Sequence, residues 1–205
     1  PDEFIYLAEE SGFIIQMGEW ILKKACMDGK RWQEQGRDVI ISVNISSKQF
    51  QHANFVNEVM EVIEESGLNP KNLTLEITET IAISDIDHTI EVLNRLKNLG
   101  IAVAIDDFGT GYSSLSYLNE MSVNELKIDR SFIWDIEKND KNKLISNTII
   151  ILAKQLGLRV IAEGVENYEQ LTILKEMNCD IAQGFHFSRP VTKEEIDEMI
   201  LVKGI

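Results

Sequence analysis

The sequence predicts an α/β fold built on a parallel sheet, and two observations support this. From Val39 onward, short apolar runs alternate with amphipathic segments, three of which end on glycine, about six times over. Each short run also finishes on residues capable of chemistry: Asn44, Glu76 and Glu79, Asp106 and Asp107, Lys127 and Asp129, Glu163 with Glu166 after it, and Gln183. Parallel strands joined by right-handed crossovers account for the alternation. A closed barrel accounts for the strand ends, because it brings them all to one mouth; it wants eight strands, so the chain reads as about two strands short at its N-terminus. An open doubly wound sheet of six strands is the alternative, and it would spread the same residues along a line.

The elements follow in order. PDEFIYLAEESG reads as a short helix with Pro1 in its first turn and Gly12 as its stop. Ile15 to Gln35 carries Met17, Ile21, Leu22 and Ala25 at helical spacing, and Trp20 and Trp32 are expected to be packing residues rather than part of a cofactor site. VIISVN is a strand, and Asn54 to Ser66 is a helix stopped by Gly67. LTLEITE is the next strand, with the helix Asp85 to Leu99 stopped by Gly100. IAVAIDD leads into a short helix near Leu115 to Asn119. ELKID precedes the helix Lys143 to Leu156, which Gly157 stops. LRVIAE is followed by the helix Tyr168 to Met177. DIAQG is the last strand, and Lys193 to Ile200 closes with a helix. No linker or low-complexity segment interrupts the series, so residues 1–205 read as a single domain.

The chain has 205 residues, 44% of them apolar, and only 3 prolines, which suits one substantial core and gives no sign of disorder. Its net charge of −14 argues against a surface that coats a nucleic-acid polymer, since phosphate backbones are held mainly by Lys and Arg. An anionic ligand could bind only where bound cations or a local basic residue reverse the field. The run Ile149 to Ala153 is far too short to cross a bilayer, and no signal peptide is visible. Cys26 and Cys179 lie far apart without CxxC spacing, which favours reduced thiols in a cytoplasmic protein over a disulfide or zinc site. A chain that begins at Pro1 rather than Met is expected to be a fragment of a longer one.

The stretch IAVAIDDFGTGYSS, Ile101 to Ser114, organises the rest. A buried strand runs straight into two adjacent carboxylates, which repel each other and resist desolvation unless cations or many donors offset the cost. Gly109 and Gly111 let the backbone turn beside whatever those carboxylates hold. An Asp after a strand also serves as the N-cap of the next helix, and GTGYSS brushes against a phosphate-cradling glycine pattern without its third glycine. Carboxylate and amide oxygens without His or Cys favour hard divalent cations, Mg²⁺ or Mn²⁺. Two such ions roughly 3.5–4 Å apart activate water and stabilise the leaving oxygen in phosphoester hydrolysis. Lys127 reads equally as a buried counter-ion or as a group that orients the attacking water. His52, His88 and His186 stand outside the ring of strand ends.

VNIS, EITE, DDFGTGYSSL, LKIDRSFI, IAEGVE and QGFHFSRP, in this order and spacing, closely resemble the EAL domain family, bacterial phosphodiesterases that hydrolyse cyclic di-GMP (c-di-GMP) to linear pGpG. The resemblance runs from Pro1 to the region of Pro190. It implies a modified eight-stranded TIM-type barrel with one strand reversed. It implies Asn44, Glu76, Asp106 and Asp107 as ligands of two Mg²⁺ or Mn²⁺ ions, with Asp106 as the bridge. Lys127 corresponds to the lysine near the attacking water, and Glu163 to the general base. Glu166 and Gln183 correspond to residues that organise water and ligand, and Asp129 is grouped with them. Glu79 corresponds to the glutamate that anchors the DDFGTG loop, which the family ties to metal binding and to homodimer formation. Ser188 to Pro190 are expected near a guanine.

The family's Glu-Ala-Leu strand, with its metal-binding glutamate and nearby arginine, is not in this sequence. By family spacing that glutamate falls on the order of a dozen residues before Pro1, so residues 1–205 alone are expected to bind metal less well and to leave a barrel seam open. The resemblance therefore carries a second implication, an inactive EAL-type receptor that binds c-di-GMP or a protein partner. It also implies a longer cytoplasmic or membrane-tethered parent with a GGDEF-type or sensor domain.

Overall fold

The computed structural model describes residues 2–111 and 115–203. Tyr112, Ser113 and Ser114 of the GTGYSS segment lie outside the described residues. Helices α1 (Asp2–Ser11) and α2 (Phe13–Glu34) come first, followed by β1 (Ile41–Asn44), α3 (Ser47–Phe50) and α4 (Phe55–Ser66). Then come β2 (Leu73–Thr78), α5 (Glu79–Ser84), α6 (Ile86–Leu99), β3 (Ala102–Phe108) and α7 (Leu115–Leu118). The remainder is β4 (Glu125–Ile128), α8 (Asp140–Gln155), β5 (Arg159–Ala162), α9 (Tyr168–Glu176), β6 (Ile181–Ala182) and α10 (Lys193–Lys203).

The six strands form one sheet in the order β1-β2-β3-β4-β5-β6, and the β1/β2, β4/β5 and β5/β6 pairs are parallel. A doubly wound sheet needs a point where the strand order reverses. None occurs here, so the order is that of strands wound successively along a barrel wall.

Contacts divide the chain into two compact units: Pro1–Ala104 with Leu115–Val123, and Ile105–Ser114 with Asn124–Ile205. In the first unit α2 packs on β1 and α4. Gly29 allows the close approach to β1, since a Cβ there would lie 2.7 Å from Ile41 Cγ1. Ile14, Gly18, Leu22, Cys26, Gly29 and Trp32 form the buried face of α2. Trp20 does not pack, contrary to expectation: it is 67% exposed. Two residues from Leu22 is about 200° around a helix, so the stripe that buries Leu22 turns Trp20 outward. Every residue of β2 but Thr78 is buried, as in a strand covered on both faces.

In the second unit β4 is buried throughout, although it alternates Glu125 and Lys127 with Leu126 and Ile128. Glu125 is satisfied by Arg159, its register partner on β5. Ile150 and Ala153 of α8 and Val160 and Ala162 of β5 complete an apolar centre. Cys26 and Cys179 are free thiols, and burial pushes Cys26 up to about 11. Among the described residues no helix is long and apolar enough to cross a membrane.

Two short helices were not legible. The capping box of Ser46 and Gln49 starts α3, and Thr78 caps α5 by accepting from the Ile81 amide. Helix α8 begins three residues before Lys143, because the Asn139 side chain accepts from the Lys141 and Asn142 amides.

Leu126→Ala is expected to lower unfolding stability by about 2–5 kcal/mol, and Leu144→Ala, on the exposed face of α8, by no more than about 0.5 kcal/mol. Urea midpoints of the two variants check this; equal shifts would contradict the burial of β4.

Candidate active site

The second unit brings three carboxylates and one ammonium together. On β3, Ile105 is buried, Asp106 is partly exposed and Asp107 reaches solvent. Asp107 holds a left-handed backbone at φ 55, unusual for a residue other than glycine and tolerated best by Asp and Asn. The Asp107 amide donates to Asp106 Oδ1 at 2.9 Å, and Thr110 Oγ1 donates to the Asp107 carbonyl at 2.8 Å. Gly109, at φ 96, completes the turn where any Cβ would sit 3.0 Å from the Phe132 ring.

On β4 the Lys127 side chain is 3% exposed, and its Nζ lies 3.1 Å from Asp106 Oδ2 and 2.7 Å from Glu163 Oε1. Lys127 is thus a buried counter-ion to both carboxylates. Glu163 follows β5 directly, and its amide extends the ladder by donating to the Ile128 carbonyl at 3.1 Å. Oxygens of Asp106, Asp107 and Glu163 all lie within 4.8 Å of one another. Such a cluster, all oxygen and all anionic, suits a hard divalent cation in its donor chemistry. Burial first, then the charges of Asp106 and Asp129, push the Asp107 carboxyl up from its ordinary value, and Lys127 and Arg130 pull less strongly the other way.

The capping reading is divided between these aspartates. Asp129 is a cap: its side chain accepts from the Ser131 amide at 3.0 Å and starts a single 3₁₀ turn, Arg130–Phe132. Among the described residues Asp106 and Asp107 cap no helix, and the next helix described is α7, Leu115–Leu118. Glu166 and Gln183 are exposed, on segments fastened around Glu163. The Gln183 amide donates to the Ala162 carbonyl at 2.8 Å, and the Val165 amide donates to the Gln183 carbonyl at 3.0 Å. Gly164, which sequence reasoning did not single out, turns the chain at φ 72 where a Cβ would meet Arg130 Cβ at 2.6 Å.

In the first unit, Asn44, the last residue of β1, is the register partner of Glu76, which lies within β2 two residues before its end; Asn44 is exposed and Glu76 buried. Both line a cleft of about 440 Å³ together with Thr78 and apolar residues of α1 and α2. Glu79 is buried as the first residue of α5. The histidines are engaged elsewhere: His52 Nδ1 is 3.0 Å from Glu58 Oε1, His88 Nε2 is 3.4 Å from the Phe50 carbonyl, and His186 stands edge-on to Phe187.

A family model described as EAL domain matches residues 1–190. The chain belongs to the EAL domain family. It is 44% identical over 201 residues to the signaling protein YkoW of Bacillus subtilis, covering 98% of this chain and 25% of that protein. It is 42% identical over 201 residues to the cyclic di-GMP phosphodiesterase NbdA of Pseudomonas aeruginosa, covering 98% of this chain and 26% of that protein. The chain thus spans about a quarter of the length of these relatives. The solved structure of the PaMucR phosphodiesterase in complex with c-di-GMP superposes with a TM-score of 0.93 at 41% identity, covering 96% of this chain and 80% of that one. The expected α/β class, that of EAL domains and their TIM-type barrel, therefore holds.

Asp107 gives the EAL site a pH signature. Folded Asp107 holds its proton more tightly than the unfolded chain does, so its contribution to stability is full below its ordinary value and is lost as pH rises through the raised one. Asp107→Asn, which suits φ 55, is therefore expected to raise the melting temperature of the EDTA-treated protein near neutral pH. The gain should fade toward about pH 4. A variant that melts lower than the parent at neutral pH would contradict the electrostatic account.

Proposed function

We propose that this EAL domain hydrolyses c-di-GMP to linear pGpG. The observation that carries the reading is the clustering of Asp106, Asp107 and Glu163 within 4.8 Å of one another, with buried Lys127 paired to Asp106 and Glu163, at the exits of β3, β4 and β5. Stability alone does not favour three carboxylates within reach of one another, whereas cation-dependent chemistry requires them. The relative NbdA is named a cyclic di-GMP phosphodiesterase, which supports the same substrate.

Asn44, Glu76, Asp106 and Asp107 would hold two Mg²⁺ or Mn²⁺ ions, whose chemistry is to polarise the phosphodiester and to acidify water. Glu163 acts as the general base that takes a proton from the attacking water. Lys127 holds the Glu163 carboxylate at 2.7 Å, fixing its direction and offsetting negative charge as it develops. Asp129 supports the site from its cap, Glu79 steadies the DDFGTG loop, and Glu166 and Gln183 contact water or ligand beside Glu163. The domain works as a homodimer within a longer protein that carries a GGDEF-type or sensor domain.

Full-length protein incubated with c-di-GMP and Mn²⁺ is expected to release pGpG, seen by chromatography, and to stop on addition of EDTA. Glu163→Gln should lower kcat by about 100- to 10,000-fold while leaving the c-di-GMP dissociation constant within a few-fold. Unaltered turnover in this variant would refute the base assignment. Binding by the parent without any product would replace the hydrolase with a receptor.

A further inference from the structure

Lys127 is not available to a ligand. It is buried, and its ammonium is engaged by Asp106 and Glu163. The chain carries a net charge of −14, and three carboxylates stand at the site itself. Beside any divalent ions those carboxylates hold, a phosphodiester approaching this acidic surface is drawn further by a protein cation that other groups have not already claimed.

Arg130 is such a cation. It is exposed, and among the described residues its guanidinium has no hydrogen-bond or ion-pair partner. Its backbone is held on both sides. Asp129 caps the turn in which Arg130 is the first residue. The Arg130 stem also lies directly on Gly164, the residue after Glu163, closely enough that a Cβ on Gly164 would fall 2.6 Å from Arg130 Cβ and 3.4 Å from its Cα. Two residues earlier, the Ile128 carbonyl accepts the Glu163 amide at 3.1 Å, so Arg130 and Glu163 leave neighbouring strands side by side.

We propose that Arg130 binds the phosphodiester of the ligand, its guanidinium fork spanning the two non-bridging oxygens. This rests on the phosphodiesterase reading for the identity of the ligand. A planar fork of donors matches a phosphate pair of oxygens better than a lysine ammonium does. Because the guanidinium is exposed and has no partner among the described residues, no ion pair with them has to break when the ligand arrives. Arg130 is a binding and positioning residue, while proton transfer stays with Glu163.

The test uses the full-length protein and c-di-GMP. Steady-state kinetics with Mn²⁺ and the dissociation constant in EDTA are measured for the parent, Arg130→Ala and Arg130→Lys across a series of NaCl concentrations. The Ala variant is expected to raise KM and the dissociation constant by about 10- to 100-fold, with kcat within about threefold. The Lys variant should fall between, and the loss of affinity with salt should be shallower for Ala than for the parent. Unchanged KM, dissociation constant and salt dependence would overturn the proposal. So would an altered preference between c-di-GMP and c-di-AMP with the salt dependence intact, which would assign Arg130 to the base. Circular dichroism establishes folding, and the Lys variant keeps a stem on Gly164 should the Ala variant unfold. If the parent cuts nothing, the hydrolase reading falls, and the dissociation constants alone decide the role of Arg130.

Discussion

The Lys127 ammonium, held between Asp106 and Glu163, is the interaction on which the site depends. An isolated buried ammonium costs several kcal/mol, and it is retained only where close, well-directed anions offset that cost. Contacts of 3.1 and 2.7 Å supply this, and each ties Lys127 to a residue from a different strand exit. The same contacts permit the carboxylates to stand close together, since a shared cation between them replaces part of their mutual repulsion. Asp107 lies outside this pairing and shows the remaining strain, in a raised proton affinity and a left-handed backbone.

The backbone around that lysine is fitted closely. Glu163 continues the β4/β5 ladder, so its position is set by hydrogen bonding rather than by a mobile loop. Gly109 lies against Phe132 and Gly164 against Arg130, at distances where a side chain would force neighbours apart. Both glycines have positive φ and lie within two residues of a clustered carboxylate, Asp107 or Glu163. The chain is thereby bent sharply after β3 and after β5 without moving the carboxylates, a job that no residue with a Cβ performs at low cost.

Most strands were legible because burial on both faces demands short runs of β-branched and aliphatic residues, as in Leu73–Thr78 and Arg159–Ala162. The glycine stops of α4 and α6 were legible for a similar reason, since Gly67 and Gly100 occupy left-handed caps. Helices α3 and α5, of four and six residues, start on side-chain caps and have too few turns to show a period, so they were not. Trp20 was misread because bulk was allowed to stand for burial, whereas the phase of the helix decides which residues face inward. Asp129 and Asp106 end adjacent strands and look alike in sequence, yet one caps a turn and the other meets a lysine.

By itself the sequence determined the order and type of the main elements, the family, and the set of oxygen donors at strand ends. Those properties follow from local periodicity and from motifs whose spacing survives without coordinates. Only the tertiary structure decided that the strands run in unbroken order, that Lys127 is shared by two carboxylates, and that Arg130 stands beside them with no partner among the described residues. Pairing between charges depends on distances across strands that are far apart along the chain, and linear spacing does not specify which ammonium becomes buried and which stays solvated.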